Sequence, residues 1–238
     1  MARQDNDRRR AVVIGGSMGG LFIGNMLVRQ GWQVDIYERI AGALNVRGAG
    51  IAGHADYGPI LRACGIAEDG LAGVDVAGRT AYDGDGREIA FHPHPQYLTY
   101  WGLLHGLLRR AFPDAHYHAG VGLVDLTPGE PRARLRLSDG RSVEADLVVG
   151  ADGIRSSVRA ILAPEIVPQY GGYFAFRGLT PEARLSDEFR RDMMHRYIWM
   201  FPGDGQLNGY PMAGPTIRWR PGIASMPISG TGRSAAPR

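Results

Sequence analysis

The N-terminal segment restricts the fold of this chain more than any other part of its 238 residues. A short apolar run, Ala11 to Ile14, leads into a glycine-rich turn from Gly15 to Gly20. Residues 21–30 then have the spacing of a helix, and residues 33–37 are predicted to form a second strand. This order predicts a βαβ unit, in which a helix connects two parallel strands.

The glycine turn carries the chemistry of this unit. A strand that turns tightly into a helix needs residues without a Cβ, and the helix N-terminus presents free backbone N–H groups to a pyrophosphate. We expect Gly15 to make the turn and Gly20 to let the helix pack closely on the strand. Ser17 replaces the middle glycine of the usual pattern and could donate its hydroxyl. The candidate phosphate-binding residues are Gly15, Gly16, Ser17, Gly19 and Gly20.

An acidic residue follows the second strand at the position expected for a nucleotide site. Glu38 lies 23 residues after Gly15, where a carboxylate can accept hydrogen bonds from both hydroxyls of an adenosine ribose. A carboxylate there disfavours the 2′-phosphate of NADP, so the predicted ligand is FAD or NAD. The alternative is an α/β domain whose glycines only serve packing.

A second motif, residues 146–159, helps to decide between these ligands. It consists of an apolar strand, a Gly-Ala-Asp-Gly turn at residues 150–153, and the start of a helix capped near Ser156 and Ser157. Asp152 at the strand end could accept hydrogen bonds from ligand hydroxyls or from ordered water. The same residues could also form an ordinary turn.

This motif resembles the second signature of the FAD-dependent aromatic hydroxylases, the group of para-hydroxybenzoate and salicylate hydroxylases. Within that group the chain is most similar to the 2,6-dihydroxypyridine 3-monooxygenase branch, which also tends to carry Gly-Gly-Ser in its first turn. The resemblance extends from about Arg10 to about Pro215. The matching positions of the second signature are Gly150, Asp152, Gly153, Ser156 and Arg159.

The resemblance implies a fold and a set of cofactor contacts. The expected fold is α/β, a Rossmann-like FAD-binding domain of the glutathione-reductase type with an incomplete antiparallel substrate-binding sheet. By resemblance, Glu38 holds the adenosine ribose while Arg39 and Arg47 lie along the FAD. A strand within residues 119–126 meets the adenine, with Leu123 as the single best candidate. Asp152 serves both the FAD and the nicotinamide donor, and Gly153 beside it is a further cofactor-binding candidate.

The resemblance also implies an activity. It predicts an FAD-dependent monooxygenase that hydroxylates a small aromatic or hydroxypyridine-type substrate with O₂ and with NADPH or NADH. No catalytic residue is assigned. One alternative is a non-catalytic or degenerate fragment that binds FAD or another dinucleotide. Another is an NAD-dependent dehydrogenase, which should lack the Asp152 motif and show no flavin absorbance.

The resemblance stops near Pro215. Relatives continue for more than a hundred residues and carry a third motif, Gly-Asp followed by Ala and His, that closes over the FAD. We interpret the chain as a shortened copy, read out of frame from about Thr216, with weak FAD retention and little turnover. The expected domains are the FAD-binding domain at 1–165 with inserted strands at about 74–92, the start of the substrate sheet at 166–215 and an irregular tail at 216–238.

For several other residues, a structural role and a ligand-binding role were both considered. The aromatic and apolar residues from Tyr173 to Phe201 could form a sheet core or a substrate pocket. Arg177 could face a pocket or the flavin, or form a salt bridge. Many relatives have Arg or Gln where Trp101 stands, and an indole donates only one N–H, so Trp101 is not included as a ligand. The histidines at 92, 94, 116 and 118 are assigned to loops and strands, and no metal site is predicted.

Composition excludes several classes of protein. The single cysteine, Cys64, cannot form an internal disulfide and is predicted to be a small buried residue. All 27 basic residues are arginine and the net charge is +3, but the excess lies at the two ends, which disfavours a nucleic-acid partner. The uncharged stretch from Ala11 to Val28 resembles an export signal but has five glycines. We therefore expect a cytoplasmic protein without a membrane segment; a homodimer is compatible with the sequence.

Overall fold

The computed structural model describes residues 9–42, 44, 50–53, 56–67, 72–172, 174–203, 205–212 and 220–226. The chain forms two compact units. Unit 1 contains Met1–Arg47, Ala55–Leu71 and Gly102–Pro168, and unit 2 contains Gly48–His54, Ala72–Trp101 and Gln169–Arg238.

A parallel sheet forms the centre of unit 1. Its strands are β1 (Arg10–Ile14), β2 (Gln33–Glu38), β6 (Tyr117–Ala119) and β10 (Leu147–Gly150), in the spatial order β10-β1-β2-β6. All residues of β1 after Arg10 are buried, because a central parallel strand is covered on both faces. The predicted βαβ unit is therefore present.

The first helix, α1 (Met18–Arg29), begins earlier than the spacing of apolar residues predicts. It starts directly after Ser17, so that Gly19 and Gly20 lie in its first turn. Apolar periodicity does not detect this turn, because glycines carry no side chain to form a periodic pattern. The other helices of unit 1 are α2 (Tyr57–Ala63), α4 (Ser157–Leu162) and, except for its first residue, α3 (Trp101–Ala111).

A small antiparallel sheet covers one face of the parallel sheet. It contains β7 (Leu123–Thr127), β8 (Ala133–Leu137) and β9 (Ser142–Ala145), and a turn around Asp139 connects the last two strands. Apolar side chains from both sheets form one buried cluster, against which Val158 and Ile161 of α4 also pack. This cluster holds the turns at the ends of β1 and β10 in place.

Unit 2 is built on a seven-stranded sheet with the order β11-β14-β13-β12-β4-β5-β3. All of its neighbouring strands are antiparallel except the parallel pair β12 and β4. The unit also contains α5 (Asp187–Met193). The strands are β3 (Gly50–Gly53), β4 (Gly73–Tyr82), β5 (Glu88–Tyr100), β11 (Phe176–Leu179), β12 (Tyr197–Met200), β13 (Gln206–Met212) and β14 (Arg220–Met226).

Two expected domain assignments differ from this arrangement. The strands at about 74–92 were expected as an insertion in the first domain, but β4 pairs with β12 and so belongs to unit 2. The segment 216–238 was expected to be irregular, but β14 within it pairs with β13 and β11. Residues 216–219 and 227–238 lie outside the described residues. Long-range strand pairing leaves no signal in local periodicity, which explains both differences.

The predicted α/β class, with a parallel and an antiparallel sheet, is confirmed. In the described ranges, none of the helices combines the length and the apolar character that crossing a bilayer requires.

Candidate functional site

The glycine turn is tightly packed against the structure beneath it. The Gly15 N–H donates a hydrogen bond to the Tyr37 carbonyl oxygen at 2.8 Å, and Gly15 has φ +107°, which glycine adopts without strain. A Cβ added to Gly15 would lie 2.8 Å from the Asp152 backbone nitrogen. A Cβ added to Gly20 would overlap the Gly15 carbonyl oxygen. Both positions therefore require glycine, as predicted.

The outer side of the turn is open. Ser17 is the N-cap of α1, and its side chain makes no capping hydrogen bond. Gly19 is exposed, and an added Cβ there would meet no atom within 4 Å. The first turn of α1 contains no acidic residue. The N–H groups and the positive dipole end of this 12-residue helix can therefore accept an anion such as a pyrophosphate.

Glu38 is buried at the end of β2 and is held by the turn itself. Its Oε2 accepts a hydrogen bond from the Gly16 N–H at 2.7 Å, and its Oε1 accepts one from the Ile40 N–H at 2.9 Å. A carboxylate offers about four acceptor positions, so each oxygen can still accept a ribose hydroxyl. The two backbone donors fix the orientation of the carboxylate before any ligand binds.

Two residues that were not predicted to belong to the site, Tyr117 and His105, contact the glycine turn through the Gly16 carbonyl oxygen. The Tyr117 hydroxyl donates to the Gly16 carbonyl oxygen at 3.0 Å, and His105 Nε2 lies 3.3 Å from the same oxygen. Burial, together with the nearby Glu38 carboxylate, raises the pKa of Tyr117 to about 12, so it remains a donor at neutral pH. Burial lowers the pKa of His105, which favours the neutral ring. Tyr117 and His105 lie on different elements, so no sequence spacing connects them to Gly16.

The Asp152 carboxylate is engaged with the start of α4. Its Oδ1 accepts from the Ser156 hydroxyl at 2.6 Å, and its Oδ2 accepts from the backbone N–H groups of Ser157 at 2.6 Å and Val158 at 3.2 Å. Ser156 is the N-cap and accepts from the Arg159 N–H at 2.9 Å. The neighbouring Gly153 is exposed and has φ +73°. The motif therefore forms a capped helix start with an open glycine beside it.

The two predicted loops lie side by side. The Ala151 N–H donates to the Ile14 carbonyl oxygen at 2.7 Å, and β1 and β10 are parallel neighbours. The glycine turn and the Asp152 loop therefore follow the carboxyl ends of adjacent parallel strands. In open α/β sheets ligands bind at this edge.

The three remaining residues that were predicted to contact FAD are Arg39, Leu123 and Arg47. Arg39 is exposed directly after Glu38, and the Leu123 side chain is buried in the apolar cluster, so that only its backbone could meet a ligand. The chain before Leu123 does run beside Glu38, since the Val121 N–H donates to the Glu38 carbonyl oxygen at 3.0 Å. Arg47 lies outside the described residues.

A cavity of about 420 Å³ opens beside the glycine turn within unit 1. Its volume is in the range of small-molecule pockets. The guanidinium of Arg109 lies 4.2 Å from the ring centroid of Tyr117 and pairs with Asp114 at 2.8 Å. The lining residues are Ala41, Gly42, Leu44, His105, Gly106, Arg109, Arg110, Tyr117 and Ala119.

Unit 2 presents aromatic residues on strands, as expected. Tyr197 stacks on Tyr210 with ring centroids 5.0 Å apart, and the buried Trp199 indole nitrogen has no hydrogen-bond partner among the described residues. Phe174, Phe176 and Phe201 are exposed. Of the other predicted residues, Tyr173 and the side chain of Arg177 lie outside what the structure describes, and Trp101 is the first residue of α3.

The predicted strand histidines show no metal-binding arrangement. The exposed rings of His92 and His94 stack on each other at 5.9 Å, and His116 and His118 both hydrogen-bond to Asp35. Nowhere in the described part of the chain do three or more His, Cys, Asp or Glu side chains group so as to hold a metal ion.

The chain is similar in sequence to known monooxygenases. The chain is 31% identical over 206 residues to 2,6-dihydroxypyridine 3-monooxygenase from Paenarthrobacter nicotinovorans, covering 86% of this chain and 51% of that protein. It is 33% identical over 223 residues to 3-amino-4-hydroxybenzoate 2-monooxygenase from Streptomyces cremeus, covering 88% of this chain and 55% of that protein. No protein-family model matches the chain.

A solved structure extends this likeness to the fold. The 2,6-dihydroxypyridine-3-hydroxylase from Arthrobacter nicotinovorans superposes with a TM-score of 0.85 at 29% identity, over 94% of this chain and 57% of that one. The chain thus spans about half the length of the relatives that it matches. The resemblance seen in the two motifs is confirmed: over that half, the chain is a homologue of the FAD-dependent aromatic hydroxylases.

Proposed function

We propose that unit 1 binds FAD and that the chain forms the FAD-binding part of a monooxygenase. The observation that carries this proposal is the adjacency of the glycine turn and the Asp152 loop at the carboxyl ends of β1 and β10. An open helix N-terminus and an oriented, buried carboxylate at Glu38 lie at the same edge. The residues present therefore fit a dinucleotide such as FAD.

Each group has a defined part in holding the cofactor. The turn from Gly15 to Gly20 would receive the pyrophosphate on backbone N–H groups, and Glu38 would accept hydrogen bonds from the ribose hydroxyls. Arg39, Arg47, the backbone at Leu123, and the Asp152-Gly153 pair would complete the contacts. Tyr117 and His105 fix the Gly16 carbonyl and so keep the turn in its receptive conformation.

The relatives support the proposed reaction. The proteins named above are monooxygenases of a dihydroxypyridine and an aminohydroxybenzoate. When bound and reduced by NADPH or NADH, FAD supplies the activation of O₂ that such hydroxylations require. We infer a small aromatic or hydroxypyridine-type substrate for this chain. A cytoplasmic location, a homodimer and the absence of a nucleic-acid partner remain predictions.

The length of the chain relative to its relatives favours a second candidate function. Because the chain spans about half of its relatives, binding of FAD without turnover is the alternative. Both functions predict flavin binding, but only the first predicts NAD(P)H consumption that depends on an aromatic substrate. Since the 238-residue chain spans about half the length of those relatives, we expect it to retain less than one equivalent of flavin after purification and to show little turnover, measured by flavin absorbance and by NAD(P)H oxidation.

Titration of the purified chain with FAD tests the site itself. Quenching of flavin fluorescence should show saturable binding, and Glu38→Gln should weaken it about tenfold, because a neutral amide is a poorer acceptor for ribose hydroxyls. Glu165→Gln, at an exposed position after α4, is the matched control and should bind like the unchanged protein. Equal affinity of all three proteins, or binding of NAD in preference to FAD, would contradict the proposal.

A further inference from the structure

Two neighbouring arginines near the end of α3 line the cavity beside the glycine turn, which we call the α3 cavity. These are Arg109 and Arg110, and among the described residues no acidic side chain lines the same cavity. The glycine turn, Glu38 and Asp152 do not line it either. The α3 cavity is therefore a positively charged site that the proposed FAD contacts do not use.

The guanidinium of Arg109 is fixed by its neighbours. It lies 4.2 Å from the ring centroid of Tyr117, and its Nη1 donates to the Phe112 carbonyl oxygen at 3.2 Å. Its Nη2 pairs with Asp114 at 2.8 Å, but this carboxylate is 92% exposed, so water and salt weaken the pair. A guanidinium has five N–H donors, so Arg109 can still donate to an anion in the cavity.

Arg110 is an exposed cation that forms no ion pair among the described residues. Its guanidinium lies along α3 beside Gly106, where an added Cβ would be 3.3 Å from Arg110 Nη1. A glycine in the interior of a helix costs stability relative to alanine. At Gly106 the missing side chain leaves room for the guanidinium and for the cavity. The helix is therefore less stable than it could be at the position where it forms the cavity wall.

Other walls of the α3 cavity are apolar. Ala41, Leu44 and Ala119 contribute aliphatic side chains to the lining. The volume of about 420 Å³ is much larger than a phosphate ion and lies in the range of small-molecule pockets. Guanidinium groups bind phosphate through paired, charge-assisted hydrogen bonds. The α3 cavity therefore combines two phosphate-binding side chains with apolar surface for the carbon part of a ligand.

We propose that the α3 cavity binds a phosphate monoester of a small organic molecule, with Arg109 and Arg110 as the phosphate ligands. A phosphate monoester carries about two negative charges at neutral pH, which balances the two guanidinium groups, and its terminal oxygens can accept hydrogen bonds from both. A carboxylate carries a single charge and fits less well. This site does not depend on the proposed binding of FAD.

Titration followed by nuclear magnetic resonance tests this proposal on the flavin-free 238-residue chain. The probes are phenyl phosphate, benzoate and inorganic phosphate. Phenyl phosphate should shift the backbone amide signals of Gly106 and Arg110 in a saturable way. Benzoate should bind at least threefold more weakly because it carries less charge. Inorganic phosphate should also bind at least threefold more weakly, because it leaves the apolar walls without a contact.

Two variants and a control locate the site. Arg110→Gln should weaken the binding of phenyl phosphate at least tenfold, because the phosphate loses one of its two cationic ligands. Gly106→Met should weaken it to a similar extent by filling the cavity, and should resist urea at least as well as the unchanged protein, since glycine is a poor helix former. Arg136→Gln removes one charge at an exposed position on β8 and should bind like the unchanged protein.

Three results would overturn the proposal: no saturable shift on α3, equal affinity of Arg110→Gln and the unchanged chain, or binding of benzoate or inorganic phosphate as tight as that of phenyl phosphate. Shifts confined to the amides of residues 15–20 belong to the first result, since they would place the anion at the N-terminus of α1. None of these measurements uses flavin. A failure at the α3 cavity is therefore distinguishable from a failure of FAD binding in the titration above.

Discussion

The glycines of the first turn have different structural roles at neighbouring positions. Gly15 and Gly20 lie where a side chain would overlap backbone atoms, and Gly16 lies where an added Cβ would be 2.8 Å from the Glu38 Cβ. Gly19, by contrast, faces open space on the first turn of α1. The sequence predicted structural roles for Gly15 and Gly20, but only the packing shows that Gly16 is equally confined and that Gly19 is open.

This difference predicts opposite effects of two adjacent substitutions. Gly20→Ala should lower the free energy of unfolding by at least 2 kcal/mol, roughly the cost of overpacking, because the Gly15 carbonyl oxygen is backbone and cannot move aside cheaply. Gly19→Ala should raise it by about 0.5 kcal/mol, since alanine is the better helix former. Urea unfolding of the ligand-free protein measures both. Equal effects of the two changes would show that the turn is not packed as described.

At Cys64 the structure agrees with the prediction made from the sequence. It is buried, its thiol contacts the Phe22 carbonyl oxygen at 3.6 Å, and burial raises its pKa to about 11. The prediction of a small buried residue is confirmed, and the thiol is a weak nucleophile at neutral pH.

At the scale of elements, the second motif caps a helix beside the proposed cofactor site. Asp152 and Ser156 together satisfy three backbone N–H groups at the start of α4, those of Ser157, Val158 and Arg159. The helix has only six residues, so caps make a large contribution to its stability. The carboxylate that resembles a cofactor contact is therefore also a structural cap.

Loss of the N-cap has a predictable cost. Ser156→Ala should lower the free energy of unfolding by about 1 kcal/mol, because the Arg159 N–H loses its acceptor. Ser142→Ala, at an exposed position on β9, is the control and should change stability by less than about 0.5 kcal/mol. Chemical denaturation gives both values, and a loss confined to the control would contradict this account of the motif.

At the scale of the whole molecule, one buried ionic group connects distant parts of unit 1. The Asp35 carboxylate on β2 lies 3.0 Å from Arg10 on β1, from His116 and from His118 on β6. Burial opposes its ionisation, but the hydrogen bonds from His118, His116 and Arg10 outweigh burial and lower the pKa of Asp35 below its usual value. The cluster joins three neighbouring strands of the parallel sheet.

This group predicts a stability that depends on pH. Because the pKa of Asp35 is lower in the folded than in the unfolded chain, its contribution is present above about pH 4 and is lost as the pH falls through the folded pKa. Asp35→Asn should therefore unfold more easily at pH 7 and lose less further stability on acidification. Urea unfolding of both proteins from pH 7 to pH 3 measures this, and parallel curves would refute the assignment.

The sequence by itself determined the elements whose causes are local. The βαβ order, the glycine turn, the helix cap near Ser156 and the strands at about 74–92 all follow from periodicity and turn chemistry within short windows. These features also carry the family resemblance, because phosphate-binding turns need particular residue types at particular spacings.

Only the tertiary structure decided which distant residues meet. It placed Tyr117 and His105 against the Gly16 carbonyl oxygen and paired β4 with β12 in the sheet of unit 2. Among the residues that the structure describes, it also left the outer side of β10 without a partner strand. Each of these results depends on pairing or packing between segments far apart in the chain. Such contacts are set by the burial of the whole unit, and local sequence patterns do not encode them.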